Sequence, residues 1–181
     1  NVIDYITMSS AGNAQDFGDL TAARQSSSGF ASSTRGVFAG GYIEPADSNI
    51  IDFITISSTG NATDFGDLTL PRMVGGGCSN STRGVIGGGD PTPGTQTNII
   101  DYVTIATTGN AADFGDLTSA RRDVDAASSP TRAIFVGGDT PTLVNTIDYV
   151  EILTTGDAVD FGDQTVKRDR LSACSNGHGG L

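Results

Sequence analysis

Short apolar runs of four to eight residues, broken by Gly, Pro, Asn and Asp, recur along the whole chain. The pattern predicts β-strands, because β-branched and aromatic residues suit a pleated surface and the intervening residues suit turns. No window carries a sustained 3.6-residue apolar period, so helix content is expected to be close to nil. The dominant stretch is Asn98–Leu117, NIIDYVTIATTGNAADFGDL. Its other copies begin at Asn1, Asn49 and Asn145, so the period is close to 48 residues. A repeat of this length decides the fold before any single residue is weighed.

One complete unit opens with Arg72–Ser81, rich in small residues, and continues with Arg83–Gly89, a short apolar run closed by glycines. A loop from Asp90 to Thr97 leads into Ile99–Ala106, and Thr108-Gly109-Asn110 turns the chain into Ala111–Leu117. Gly and Asn tolerate positive φ, so the last two runs read as a hairpin. Four strands therefore fit in each unit. In Ile50–Ile56, Ile51 and Phe53 face one way, while Ile50, Ile54 and Ile56 face the other. Both faces are apolar, which predicts a small sheet covered on both sides. Four-stranded sheets stacked between like sheets meet that requirement, and the expected fold is an all-β propeller with one antiparallel blade per repeat.

The glycine pairs Gly40-Gly41, Gly88-Gly89 and Gly137-Gly138 recur once per unit. So do the acid–aromatic pairs Asp4-Tyr5, Asp52-Phe53, Asp101-Tyr102 and Asp148-Tyr149. The arginines Arg24, Arg72, Arg121 and Arg168 close the units. In these features the chain resembles kelch-repeat propellers. Where kelch repeats usually carry Trp on the outer strand, this chain has Phe17, Phe65, Phe114 and Phe161 inside an unvarying DFGD. The near-identical Ser/Thr/Gly/Asn-rich copies, with an Asn-Gly-His-Gly-Gly-Leu tail, also resemble repeat regions of tail-fibre and other virion structural proteins of marine bacteriophages. That resemblance implies a virion or extracellular location. In kelch-like propellers a C-terminal strand often completes the N-terminal blade, and 168–177 is the candidate here. Four units make a small ring lacking one strand, or part of a larger ring with the remainder upstream; both stay open. The start inside a repeat leads us to expect further sequence before Asn1.

Charge and composition add less. The formal charge of −11 is mostly written into the repeat, since each copy contributes three Asp, twelve of the 21 acidic residues. Ten scattered basic residues make no phosphate-tracking patch, which argues against nucleic acid. No run of about 18 apolar residues predicts a membrane span. A single lysine, no tryptophan and abundant Ser, Thr, Gly and Asn suit a β-rich extracellular surface.

Candidate chemistry is sparse. Carboxylates three apart in DFGD could share a cation with backbone oxygens, but recurrence in every unit favours a packed Phe, a Gly bend and Asp bonds within the turn. No metal or cofactor is expected. A glycosidase needs two carboxyls a few ångströms apart, and enzyme sites normally break repeat symmetry. The acids outside the repeat form no evident pair, so no catalytic residue is assigned. Cys78 and Cys174 share a register with Phe30 and Ala127, a packing position, and are expected to be free, mostly buried thiols. His178, in the Gly-rich tail, reads as a solvated turn residue. The register arginines, with Arg35, Arg83 and Arg132 eleven residues after the first three, are expected to bond loop carbonyls or the repeat Asp. Variable loops on a rigid repeat are where recognition is usually placed. These are Tyr42–Ser48, Asp90–Thr97 and Asp139–Val144, presenting Tyr42, Glu44, Asp90 and Asp139. The expected function is a non-catalytic structural or adhesion module of a phage-type fibre, binding a host-surface glycan or another virion protein, as a homo-oligomer within the fibre. The alternative is an extracellular carbohydrate-active propeller enzyme.

Overall fold

The structure, a computed structural model, describes residues 1–175. His178 and the last two positions of the expected closing strand lie outside the described residues. An N-terminal hairpin of β1 (Val2–Tyr5) and β2 (Gln15–Asp19) is followed by three four-stranded antiparallel sheets. The first sheet holds β3 (Ser28–Ala31) and β4 (Arg35–Ala39), then a two-stranded excursion, β5 (Tyr42–Ile43) and β6 (Ala46–Asp47), and then β7 (Ile50–Thr55) and β8 (Thr63–Asp67). The second holds β9 (Gly76–Ser79), β10 (Arg83–Gly87), β11 (Ile99–Thr104) and β12 (Ala112–Asp116). The third holds β13 (Asp125–Ser128), β14 (Arg132–Val136), β15 (Thr146–Glu151) and β16 (Val159–Asp163). No helix occurs among the described residues, so none is long and apolar enough to cross a membrane. Each sheet runs in sequence order except for the excursion β5–β6, which the turn-rich loop did not announce.

The middle sheet is apolar on both faces because it is buried on both. Val85, Ile100 and Phe114 of the middle sheet pack with Phe135, Val150 and Ile152 of the third, while Ile86, Val103 and Ile105 pack with Phe30, Ile51 and Phe65 of the first. Alternation along a strand thus sends neighbouring side chains into two different cores. β9 lies between β3 and β13, so the small-residue strands stack along one side. Their close approach explains the composition: Ser79 Oγ donates to Ala31 O and Ser128 Oγ to Ser79 O, both at 2.6 Å.

The DFGD signature has a physical account. Ile100 pairs with Gly115 and Asp101 with Asp113, so Phe114 is an extra residue, a β-bulge repeated in all four copies. The bulge turns the Phe inward, edge-on to the Tyr or Phe of the adjacent strand, with centroids 5.8–5.9 Å apart. It also holds the following glycine at φ between 136° and 147°.

Neighbouring units join at the same edge. Gly60 N–H donates to Phe17 O at 2.7 Å, Ala62 N–H to Asp19 O at 2.8 Å, and Asp19 N–H to Asn61 Oδ1 at 3.1 Å. Gly109, Asn110 and Ala111 repeat these bonds on Phe65 and Asp67, and Gly156, Asp157 and Ala158 repeat them on Phe114 and Asp116. The outer strands β2, β8 and β12 are therefore each covered by the hairpin turn of the next unit, which removes an exposed sheet edge there. A buried polar knot completes each junction. Arg24, Arg72 and Arg121 contact Asp52, Asp101 and Asp148 at 3.0 Å, and Thr21, Thr69 and Thr118 donate to the same carboxylates through hydroxyl and backbone N–H.

Candidate functional site

The three variable loops follow glycine pairs, and those pairs set their direction. Gly88 and Gly89 have φ of 69° and 113°, and a β-carbon on Gly88 would stand 2.6 Å from Arg121 O. Only glycine admits both the backbone conformation and that approach. The chain leaves the sheet there and pairs backward through the bridge Met73–Asp90, matched by Gln25–Tyr42 and Arg122–Asp139 in the neighbouring units.

Two residues after the repeat arginines Arg24, Arg72, Arg121 and Arg168, Ser26, Val74, Asp123 and Arg170 adopt φ of 57°, 51°, 52° and 48°. For a β-branched residue such as Val74 this conformation is strained, so its recurrence at one register position demands local support. That support comes in part from neighbouring units: Val74 N–H donates to Ser26 O at 3.1 Å and Arg170 N–H to Asp123 O at 3.3 Å. All four line a single pocket of about 490 Å³, together with Gln25, Met73, Asp90 and Arg122.

The pocket mixes polar and apolar side chains and breaks the repeat. Arg122 replaces Gln25 and Met73 of the preceding units. Its guanidinium lies 3.0 Å from Asp90, 3.7 Å from Asp123 and 3.8 Å from Asp139. Hydrogen bonding to Asp90, helped by the charges of Asp139 and Asp123, raises its pKa. Asp90 is almost fully buried and holds its own loop, accepting from the backbone N–H groups of Thr92, Gly94 and Thr95. It therefore shapes the pocket more than it presents a free carboxylate. Arg170 is exposed over the rim, 3.6 Å from Asp123.

Of the four expected binding residues, Asp90 and Asp139 meet at Arg122, whereas Tyr42 and Glu44 sit on the adjacent excursion. There Tyr42 Oη donates to Glu44 Oε2 at 2.8 Å, and that bond, with some burial and the Glu44 and Asp47 charges, raises the phenol's pKa. Asp47 also has a raised pKa, through burial first and the charge of Asp90 second, which links the two loops electrostatically. The sequence did not single out Arg122, Asp123 or Arg170. Their signal was available as three charged residues at positions where the other units carry Gln, Met, Ser or Val.

The repeat residues divide. Phe17, Phe65 and Phe114 are buried, but Phe161 is 58% exposed. Arg24, Arg72 and Arg121 bind the repeat Asp in full burial, whereas among the described residues the side chain of the equivalent Arg168 reaches Val166 O, at 3.4 Å, and no repeat Asp. Burial lowers the pKa of the three paired arginines, partly opposed by their Asp partners. Arg35 and Arg83 stack on Phe53 and Tyr102 and donate to Ile105 O and Ile152 O of the next unit. Cys78 is buried, and burial pushes its thiol up to about 12, whereas Cys174 is exposed. The expectation of two buried thiols therefore holds for Cys78 alone, because no following unit covers Cys174 among the described residues. No cluster of three acidic, His or Cys side chains with metal-binding geometry occurs among the described residues. No protein-family model matches the chain, and no curated protein matches its sequence.

Proposed function

We propose that this chain is part of a kelch-like β-propeller in which each four-stranded sheet is a blade, and that it serves as a non-catalytic adhesion module of a phage-type virion appendage. The observation that carries the reading is the pocket shared by Ser26, Val74, Asp123 and Arg170. Equivalent positions of successive blades converge on the axis of a propeller, whereas in a straight stack they would follow one another in a row. The variable loops stand at its rim, where recognition is expected on a rigid repeat.

The favoured ligand is a glycan. The pocket offers carboxylates and guanidinium groups held in fixed positions by one another, which suits the many hydroxyls of a sugar. It offers no nucleophile with an adjacent base. The virion setting rests on the wording of the tandem copies alone. Screening the chain against host-envelope glycans tests the reading, with Arg170→Ala as the variant because that side chain is exposed and holds no loop. Saturable binding weakened at least about tenfold by the substitution supports it. Absence of glycan binding, with capture of another virion protein through the same face, overturns the glycan assignment. Turnover of an oligosaccharide, lost on replacing Asp123 or Asp139, would favour the carbohydrate-active enzyme instead.

A further inference from the structure

The hairpin that closes a unit folds around a small concavity, and the concavity recurs. In the middle sheet the turn between β11 and β12 encloses about 380 Å³, lined by Tyr102, Thr104, Thr107, Thr108 and Asn110 among others. Equivalent positions line pockets of about 440 Å³ at Tyr5 and about 290 Å³ at Tyr149. The middle pocket stands open with a neighbour on each side. Its turn is bonded to Phe65 and Asp67 of the sheet before, and β12 is bonded to Gly156 and Ala158 of the sheet after. The opening is therefore a property of the repeat.

The lining is held in place, yet its polar groups are unused. Arg83 lies over the Tyr102 ring, 4.2 Å from its centroid, and Phe114 meets the ring edge-on at 5.9 Å. That packing needs no hydroxyl, since Phe53 at the equivalent position makes the same edge contact with Phe65, also at 5.9 Å. Three of the chain's four tyrosines nevertheless stand at this position, Tyr5, Tyr102 and Tyr149. Among the described residues, Tyr102 Oη and the hydroxyls of Thr104, Thr107 and Thr108 have no hydrogen-bond partner. Asn110 is pinned through Oδ1, which accepts from Asp67 N–H, and its amide donors are free among the described residues. In a chain with 21 acidic residues, the linings at Tyr5 and Tyr102 carry no charged side chain. At Tyr149, Glu151 and Asp157 replace Thr104 and Asn110.

We propose that these hairpin pockets are subsites for an uncharged polysaccharide, each taking one sugar residue. A hydroxyl both donates and accepts, so a cluster of them matches the hydroxyls of a sugar without calling for a charge. A fixed aromatic ring beside a few polar groups is the ordinary make-up of a small-ligand pocket. Recurrence along the repeat fits a ligand that itself repeats, because several weak contacts on one body add up to firm attachment. These subsites share no residue with the pocket under the variable loops, and the inference stands without it.

The test titrates the full 181-residue chain with glucan, mannan and galactan oligosaccharides of increasing length, by calorimetry and by NMR of isotope-labelled tyrosine. At least one series is expected to bind at more than one site per chain and to shift Tyr5, Tyr102 and Tyr149 but not Tyr42. Its affinity should rise at least about tenfold from monosaccharide to polymer. Replacing all three, Tyr5→Phe, Tyr102→Phe and Tyr149→Phe, should weaken polymer binding about tenfold or more. The triple variant should melt as the wild type does, since Phe53 already packs in this position. Arg170→Ala should leave this binding unchanged. Binding lost in Arg170→Ala and kept in the triple variant would overturn the hairpin subsites and leave the variable-loop pocket as the glycan site. Failure of every series to bind, or shifts confined to Tyr42, also overturns the proposal.

Discussion

At Gly66 a β-carbon would sit 2.5 Å from the Gly109 carbonyl, while at the equivalent Gly162 it would meet nothing within 4 Å. The two residues share the same tripeptide, Phe-Gly-Asp, and nearly the same φ, 144° and 136°. Gly162→Ala should therefore lose only the backbone term, about 1–2 kcal/mol. Gly66→Ala should lose that and a further 1–3 kcal/mol or so from forcing two backbones apart. Urea unfolding of the two variants checks the difference, and equal losses would refute the close-approach account of DFGD. Thiol chemistry separates another equivalent pair. Cys78, with its thiol pushed up to about 12 by burial, should stay silent to a thiol reagent at neutral pH, while exposed Cys174 reacts. One thiol should be titrated per native chain and two after denaturation.

Between elements, the decisive feature is the Arg–Asp–Thr knot. A buried ion pair is weak evidence for stability, because desolvation offsets much of the attraction. Breaking one is different, since the survivor is left charged in a dry site. In the knot at the middle sheet, Asp101 accepts from Arg72, from Thr69 Oγ1 at 2.5 Å and from Thr69 N–H, so its loss orphans three donors. Asp101→Ala should cost about 3–5 kcal/mol. Adding Arg72→Met should recover part of that loss, because the buried charge goes with it. A double-mutant cycle by denaturant unfolding measures the coupling. The knot also accounts for a sequence pattern of otherwise obscure spacing: Thr and Arg three residues apart in the linker, with an Asp about thirty residues later. The spacing is that of a loop residue reaching the third strand of the following sheet.

For the molecule as a whole, the loops come from different units and share one electrostatic environment. Burial first, and the charge of Asp90 second, raise the pKa of Asp47. The folded state thus holds this proton more tightly than the unfolded chain does. Its contribution is fully present below the unfolded carboxyl pKa, about 4, and is lost as pH rises through the folded value. Asp47→Asn should accordingly raise the melting temperature at pH 7, by up to about 2 °C. The gain should vanish near pH 4. A gain that persists in acid would place its cause elsewhere.

Strand number per unit, antiparallel pairing, the absence of helix among the described residues and the two-sided burial of the middle sheet were all legible in the 48-residue period and the apolar runs. These properties depend on neighbours within one unit, and the unit is repeated. The tertiary structure alone decided which equivalent residues behave alike. Phe161 and Arg168 carry the same sequence signature as Phe114 and Arg121, yet they are exposed and without a repeat Asp. What buries an outer strand is the turn of the next sheet, and a sequence motif carries no record of whether that sheet is in place. The pocket escaped the sequence for a related reason. Arg122-Asp123 and Arg170 lie in different units, as do their pocket neighbours Ser26 and Val74, and only the left-handed bends at one register position in four successive units bring them together.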